Sequence, residues 1–581
     1  MAETLISPGV LTRENDLSFI QPAPVQAGAA FIGPTVKGPV EIPTVVTSYS
    51  DYLNRFGSTF TSGSTRQEFL TSIAVKSYFQ QGGNTALITR VVSGSFTAAT
   101  STHVSASDNG SVQPFTIETL GKGALYNNAT ASLDPGTENS DSSLVSGSVD
   151  NFRWEVTNVD GAKGTFTLLV RRGDDNLKNK VVLETWNNLS LDPESQNYIS
   201  AVIGDQRLTK AGSGTDIYLE YTGSYANRSR YIRVASVNAL SNYFATDGIT
   251  VNNGSDGTSL SGSLPIAESG SFYGATGDIA IGGANYFTDI ASGNTQGLVS
   301  DNYTDVINLL SNTDEYLFNV IAAPGVIYAN DNTTVNSLIS MVETRGDAIA
   351  VVDLVNYGTT SVSTVTAEAG ELNTSYGAAY WPWLQVGSET GKNVFVPAGT
   401  VIPGVYAFTD RSSAPWFAPA GLVRGGIPGV LQAERKVTKA QRDDLYDGKV
   451  NPIATFPGTG VAVFGQKTLQ TKASALDRVN VRRLLIELKK FFSDVAKTLV
   501  FEQNTIATRN RFLATVNPYM ESVVQRQGLF AFRVVMDETN NTNDVIDRNQ
   551  LVGQIFIQPA KTAEFVVLDF TIEPTGATFV A

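Results

Sequence analysis

Two stretches of the chain have the residue types of a ligand-binding loop, and neither has the spacing that the chemistry requires. Residues 460–468 (GVAVFGQKT) approach a phosphate-binding loop, but Gln466 separates the second glycine from the lysine whose amine must reach the phosphates. Residues 537–548 (DETNNTNDVIDR) approach a calcium loop, but Thr542 replaces its glycine and Arg548 its bidentate glutamate. The first stretch therefore predicts the end of a strand, and the second predicts a structural turn.

The candidates for catalytic residues are equally few. The chain has no cysteine and a single histidine, His103, which lies among serines and threonines and is predicted to be a solvated loop residue. This composition excludes disulfides, thiolate metal sites and zinc sites with several histidines. The adjacent Asp174 and Asp175 lie beside two arginines and predict a solvated turn, although a pair of glycosidase carboxylates is not excluded by the sequence.

One helical segment carries an unusual charge. Between Arg478 and Arg511, eight basic and three acidic side chains leave a net charge of +5 in a chain whose net charge is −14. Such a segment is either a solvated outer face or a basic strip that docks on an acidic partner. The basic residues of its first half and middle are Arg478, Arg482, Arg483, Lys489, Lys490 and Lys497.

The composition is that of an ordinary globular protein, with 42% hydrophobic and 17% charged residues. No run approaches the roughly 18 apolar residues of a membrane span, so we expect no direct membrane insertion. The first residues lack a basic and apolar leader, so we expect no secretory signal and folding in the cytoplasm. The acidic net charge disfavours nucleic acid as a partner.

The 581 residues exceed one typical core, and composition shifts divide them. Ser, Thr, Gly and Asn enrichment marks a β-rich insertion, and helix–strand alternation resumes after it. The sequence therefore predicts an α+β, multidomain fold, in which an α/β core is formed from N- and C-terminal parts around one or two inserted β-rich domains. The predicted parts are an extended arm (1–25), the first part of the core (26–92), the insertion (93–300), an α/β middle domain (301–450) and a C-terminal core domain (451–581).

Local patterns predict individual elements. A capping-box pattern over Ser64 to Gln67 predicts a helix that runs to about Gln80. Ser474 predicts the cap of a long helix, because apolar residues follow it at spacings of three and four. A second helix over 511–524 and strands over 529–536, 551–557 and 563–572 are predicted to follow.

Segments spread along the chain resemble, in the same order, the tail sheath proteins of contractile-tailed bacteriophages. The C-terminal segments carry most of this resemblance, and upstream segments agree with it outside the polar region 93–300. The C-terminal segments are 451–458 (NPIATFPG), 460–465 (GVAVFG), 477–484 (DRVNVRRL), 501–504 (FEQN), 532–537 (FRVVMD), 540–542 and 545–548. The upstream segments are 8–10, 31–33 (FIG), 78–83 (YFQQGG), 380–384 (YWPWL), 396–397, 404–406 and 409–411, with 189–193 and 197–198 inside the polar region.

The resemblance implies a structural subunit of the phage virion and not an enzyme. Such subunits form stacked hexameric rings around the tail tube and contract from a metastable extended state, which drives the tube through the host envelope. Its expected partners are further copies of itself, the tail tube protein, and baseplate and tail terminator or neck proteins. No cofactor is implied, and assembly is expected in the host bacterial cytoplasm.

The resemblance also implies where subunits join. Members of the family donate N- and C-terminal arms to a sheet of neighbouring subunits, a form of strand addition. The arm residues expected here are Thr4, Leu5, Ile6, Val10, Leu11, Phe565, Val566, Val567, Leu568 and Phe570. The basic helix from Arg478 to Lys497 would then face the tube.

Other classes of protein remain as alternatives. One is the sheath of a related contractile injection particle. Another is a β-rich tailspike-type enzyme that degrades glycans, which would need a cleft with paired carboxylates. An adhesin or surface-layer protein would share the polar β-rich stretches, but that class normally carries a secretion signal.

Overall fold

The computed structural model describes residues 25–62, 65–103, 113–126, 138–254, 257, 259–277, 290, 294–296, 298–299, 303–458 and 460–564. Its elements form a central region, an inserted β region and a C-terminal region. The first central segment contains β1 (Val25–Gly33), β2 (Thr44–Val46), α1 (Tyr49–Phe56), β3 (Thr59–Ser62), β4 (Thr65–Glu68), α2 (Leu70–Gln80) and β5 (Ala86–Arg90).

The inserted β region follows. Its elements are β6 (Ala98–Thr102), β7 (Phe115–Lys122), β8 (Phe152–Asp160), β9 (Thr165–Arg172), β10 (Val182–Ser190), α3 (Ile199–Ile203), β11 (Arg207–Ala211), β12 (Tyr218–Thr222), β13 (Ile232–Val237), β14 (Ser269–Ser271), β15 (Asn294–Thr295) and β16 (Leu298–Val299).

The chain then returns to the central region and ends in the C-terminal region. The second central segment contains α4 (Tyr303–Leu309), β17 (Tyr316–Ile327), α5 (Asn332–Arg345), β18 (Ile349–Asp353), α6 (Val362–Gly370), β19 (Gly377–Trp381), β20 (Leu384–Gly387), β21 (Asn393–Val396), α7 (Ile402–Ser412), α8 (Gly421–Arg424), β22 (Val430–Ala433), α9 (Lys439–Asp447), β23 (Val450–Phe456) and β24 (Gly460–Val463). The C-terminal region contains α10 (Val479–Lys497), α11 (Ile506–Gln525), β25 (Leu529–Val535), α12 (Asn543–Asp547) and β26 (Gln554–Pro559).

An eight-stranded sheet joins the two central segments in the order β2-β5-β1-β17-β18-β19-β23-β24. Its edge strands β2 and β24 pair antiparallel, and every other pair of neighbours is parallel. Strands β5, β18 and β19 are buried along their whole length, as expected where helices cover both faces of a parallel sheet. Helices α2 and α7 pack on one face, and α4, α5 and α9 pack on the other.

These elements confirm the predicted α+β, multidomain class with a core built from both sides of an insertion. The sheet continues through β24, so the domain boundary predicted at residues 450/451 cuts strand β23, which pairs with β19.

The helix predicted from Ser64 begins instead at Leu70, because the preceding residues form the hairpin β3–β4. In this hairpin the guanidinium of Arg66 donates to Thr59 Oγ1 at 2.8 Å, and Phe60 pairs with Gln67. Strand pairing within this short hairpin therefore outweighs the capping pattern.

The inserted β region has its own hydrophobic core between the sheets β10-β9-β8-β14 and β13-β7-β6. The prediction of a solvated His103 is wrong, because its ring is fully buried 4.1 Å from the ring of Phe115 and 3.9 Å from that of Trp154. Burial lowers the pKa of His103 to about 3, so the imidazole is neutral. It is a packing residue of the core.

The predicted solvated turn at Asp174 and Asp175 is half right. Asp174 lies at the surface and pairs with Arg172. Asp175 is buried, and the guanidinium of Arg171 donates to both of its carboxylate oxygens, at 2.7 and 2.8 Å. The nearby Arg153 contacts the same carboxylate at 3.4 Å. Asp175 therefore belongs to an internal ionic network.

The C-terminal region packs two helices and one hairpin around a separate core. Ser474 caps the short 3-10 helix Ala475–Asp477, and the long helix α10 begins only at Val479. Leu484 and Leu488 of α10 meet Phe512 and Val516 of α11 in this core. The antiparallel strands β25 and β26 lie against the same core through one face of the hairpin.

Candidate assembly interface

Helix α10 buries the start of the predicted basic strip. Arg482 and Arg483 are each 4% exposed, so neither side chain reaches the surface that the predicted strip requires. Whether this helix faces a tube stays a prediction. The Arg482 guanidinium lies 4.0 Å from the Tyr376 ring and donates to Ser375 Oγ. The Arg483 guanidinium donates to both carboxylate oxygens of Asp410 at 2.6 Å.

Aromatic rings explain why these charges are tolerated inside the protein. The Arg483 guanidinium lies 4.6 Å from the ring of Tyr406, which replaces water with the negative face of an aromatic ring. Burial lowers the pKa of Arg482, although Tyr376 and Glu343 favour its charged form. One feature of the sequence indicates that Arg482 and Arg483 are buried. Both lie between the apolar residues Val481 and Leu484, which belong to the buried stripe of the helix.

The end of α10 is different, because its basic side chains reach the surface. Lys489 is exposed and donates to Tyr376 Oη at 3.0 Å. Lys490 is half-buried, and Lys497, with 63% of its side chain exposed, lies 3.7 Å from a carboxylate oxygen of Asp314. These three residues form the surface called here the lysine face. Arg478 is turned away from it, since Asp477 and Glu564 hold its guanidinium.

The hairpin β25–β26 presents an unfinished sheet. Its two strands pair with each other only, so within the described residues each has one edge without a neighbouring strand. Ile555 and Ile557 pack against the C-terminal core, while Phe530 and Phe556 are 69% and 56% exposed on the hairpin. Unpaired backbone N–H and C=O groups beside exposed aromatic rings are the features of a surface that accepts a further strand.

Both predicted arms lie outside the described residues. The N-terminal arm residues precede Val25, where strand β1 begins, and the predicted C-terminal strand begins at Phe565, directly after the last described residue, Glu564. Their roles stay a prediction.

The turn between α10 and α11 carries a second exposed apolar surface. Phe501 is wholly exposed and adopts φ +70°, a backbone conformation that non-glycine residues seldom take. Val500 and Ile506 beside it are also exposed. Sequence reasoning placed Phe501 in a motif but did not foresee its exposure, since an isolated apolar residue at the end of a helix is more often buried.

The described ranges also bear on metal binding and on membrane insertion. These ranges contain no group of three or more His, Cys, Asp or Glu residues that could hold a metal ion. Within the same ranges, no helix has both the length and the apolar character needed to cross a bilayer.

Two family models match consecutive parts of the chain. The phage tail sheath protein central domain matches residues 300–469, and the phage tail sheath C-terminal domain matches residues 471–573. The first match covers the second central segment, and the second covers the C-terminal region with its hairpin and lysine face.

Three known proteins are similar to the chain. The tail sheath protein of Vibrio phage KVP40 is 44% identical over 188 residues, and that of Enterobacteria phage T4 is 39% identical over 187 residues. Each alignment covers 32% of this chain but only 28% of the relative's own length. The crystal structure of a sheath tail protein from Listeria innocua shares the fold, with a TM-score of 0.52 at 11% identity over 92% of this chain and 96% of that one.

Proposed function

From the membership of residues 300–573 in the phage tail sheath family, we propose that this chain is a structural subunit of a contractile phage tail sheath. The observation that carries the proposal is the succession of the two sheath domains along one chain, with an open-edged hairpin in the second. In this proposal the subunits polymerise around a tail tube as stacked hexameric rings. They are held in a metastable extended state and shorten when triggered, which drives the tube through the host envelope.

The proposal makes the chain a part of the virion and not an enzyme. Its partners are further copies of itself, the tail tube protein, and baseplate and terminator or neck proteins, with assembly in the host cytoplasm. A helical array of identical subunits needs interfaces that join different surfaces and do not close on themselves. The hairpin edges and the predicted arms are different surfaces of one chain and meet this requirement.

The open edges of β25 and β26 are proposed to receive the arms of neighbouring subunits. Thr4 to Leu11 and Phe565 to Phe570 are the two predicted arm segments, and the hairpin has two free edges among the described residues. Backbone hydrogen bonds in an added strand are nearly independent of side-chain identity. A joint of this kind can survive rotation of the bodies that it connects.

The lysine face is proposed to contact the tube. Lys489, Lys490 and Lys497 keep the positive charge of the predicted strip at the surface, whereas Arg482 and Arg483 do not. Charge complementarity sets the register and rate of association more than its strength. Substitution of all three lysines by glutamate is expected to slow assembly on purified tubes, with unchanged unfolding of the subunit.

Negative-stain electron microscopy of the purified chain tests the main proposal. Hollow striated tubes are the expected result, in the contracted form because no tail tube holds the sheath open. Compact closed trimers would contradict a sheath and favour a tailspike-type protein.

A further inference from the structure

The carboxylate of Glu564, the last described residue, is held by three side chains. The Arg478 guanidinium donates to Oε1 at 2.7 Å and to Oε2 at 3.0 Å. Gln466 Nε2 donates to Oε1 at 3.0 Å, and Tyr446 Oη donates to Oε2 at 2.8 Å. Four hydrogen bonds to one carboxylate, two of them from a guanidinium fork, make a strong and directional contact.

These partners belong to different parts of the fold. Tyr446 lies on α9 of the central region, Gln466 lies in the loop after β24, and Arg478 immediately precedes α10. The segment that carries Glu564 leaves the hairpin, where Ala560 N donates to Gly528 O at 3.1 Å. The chain therefore crosses from the C-terminal region back to the central region before it continues into residues 565–581.

A second contact fixes the same segment. Gln466 Nε2 also donates to Thr562 Oγ1 at 2.6 Å, so one amide group holds two residues that are two positions apart. Lys561 lies between the hairpin and this contact and is exposed. Residues 562–564 are therefore attached at two points, with an exposed basic residue just before them.

The electrostatic surroundings favour the ionised carboxylate. Burial acts to raise the pKa of Glu564, but hydrogen bonds from Arg478, Gln466 and Tyr446 lower it below its ordinary value. Lys467 lies 4.2 Å from the Tyr446 ring, and Asp477 pairs with Arg478 at 2.9 Å. The cluster is thus a compact ion-pair network, which resists opening better than an isolated surface pair.

We propose that the hydrogen bonds of Glu564 with Arg478, Tyr446 and Gln466, called here the clamp, fix the point at which the C-terminal arm leaves the subunit. The inference rests on the proposed function, because a fixed exit matters only if residues 565–581 join another subunit. Glu564 is a positioning residue in this scheme and touches no neighbour itself.

A fixed exit point shortens the tether between subunits. If the clamp opened, residues 561–564 would be released beyond the bond between Ala560 N and Gly528 O, and each extended residue adds about 3.5 Å of reach, or roughly 14 Å in all. A longer and looser tether lowers the effective concentration of the arm at its target edge. It also increases the conformational entropy that is lost on docking. With the clamp closed, each arm starts from the same place and points in one direction.

Trypsin cleavage after Lys561 in the isolated subunit measures the clamp directly. Cleavage requires local opening of the segment, and its rate follows the population of the open form. Glu564→Gln and Arg478→Gln are each expected to speed the release of the 562–581 peptide, followed by mass spectrometry, about tenfold. Because both remove the same contact, the double variant should be cleaved no more than about twice as fast as either single variant.

Glu538→Gln is the matched control, since Glu538 is exposed in the same region and the substitution changes the charge equally. Its cleavage rate should equal that of the wild type. Unchanged cleavage in Glu564→Gln, or multiplied effects in the double variant, would overturn the clamp.

Tube formation by the same proteins separates this inference from the proposed function. If the wild type forms tubes, Glu564→Gln should form fewer and shorter ones, whereas Glu538→Gln should match the wild type. Faster cleavage with tubes of normal length would show that the clamp does not serve the arm and would overturn the inference. Absence of tubes from the wild type would count against the proposed function, whereas the cleavage rates would still decide whether the clamp exists.

Discussion

Charged side chains at the start of α10 bind the C-terminal region to the central region. Arg483 reaches Asp410 at the end of α7, and Arg482 reaches Ser375 and Tyr376 just before β19. Breaking a buried ion pair leaves one charge without a partner in a poorly solvated place. These arginines are therefore expected to act on folding rather than on partner binding.

Replacement of Arg483 by methionine is expected to lower the free energy of unfolding by about 2–3 kcal/mol, because Asp410 loses its ion pair while it stays partly buried. Lys489→Met is the control, and its effect should stay within about 0.5 kcal/mol because the side chain is exposed. Urea unfolding measures both. Equal effects would contradict the burial of Arg483.

Asp353, at the end of β18, is a buried acid of the central sheet. Its Oδ1 accepts a hydrogen bond from Gly399 N at 2.8 Å. Burial nevertheless raises the pKa of Asp353 to about 7. The folded protein therefore keeps a proton that the unfolded chain releases near pH 4.

Linkage gives the sign of the resulting pH dependence. Below pH 4 the Asp353 carboxyl is protonated in both the folded and the unfolded protein, so its contribution to the free energy of unfolding is fully present. As the pH rises to about 7, the free energy of unfolding should fall by roughly 4 kcal/mol from this group alone. Asp353→Asn should lack this loss in urea unfolding at pH 4, 6 and 8. Parallel pH profiles for the two proteins would contradict the raised pKa.

Among the elements, the hairpin β25–β26 has one face packed on the C-terminal core and one exposed face, which is proposed to serve assembly. One face supplies Ile555 and Ile557 to the C-terminal core, and the exposed Phe530 and Phe556 are free for contact with a neighbour. Substitutions on the two faces should therefore have opposite profiles.

The double substitution Phe530→Glu/Phe556→Glu is expected to abolish tube formation and to change subunit stability by less than about 0.5 kcal/mol per site. Added charge beside a strand edge opposes pairing with another strand. Ile557→Ala should instead lower subunit stability by about 1–2 kcal/mol, since the side chain is partly buried. Microscopy and urea unfolding give the two readouts, and normal tubes from the glutamate variant would refute the role of this face.

Most long elements could be predicted from the sequence because their patterns are local. The apolar stripe through Leu484 and Leu488 correctly predicted α10. Its start was misplaced, because Ser474 caps a short 3-10 helix that precedes α10. The helix start predicted at Ser64 failed because a short hairpin forms there, and two further errors arose where distant partners decide the outcome. His103 is buried by Trp154, and Arg483 by Asp410, and each partner is more than 50 residues away along the chain. No local pattern encodes such pairings.

At the scale of the whole molecule, the central sheet is interrupted in sequence but continuous in space. β1 pairs with β5 on one side and with β17, more than 280 residues later, on the other. The inserted β region has its own core, and contacts such as that of Lys210 with Asp305 tie it to α4. The insertion can therefore vary in sequence while the central sheet keeps its form.

Removal of residues 1–15 is expected to leave a folded subunit that cannot polymerise. The deletion ends ten residues before Val25, where β1, the first described strand of the central sheet, begins. Thermal unfolding should be unchanged, and microscopy should show no tubes. Tubes of normal length from the truncated chain would refute the role of the N-terminal arm.

The position of β1 has a mechanical consequence. A pull on the residues before Val25 enters the molecule along the axis of a strand bonded to parallel neighbours on both sides. Such a load shears the two ladders together, and many hydrogen bonds must break in one event rather than unzip in turn. The residues before Val25 thus join the fold at an interior strand, and the subunit should stay intact under forces that would strip away an edge strand.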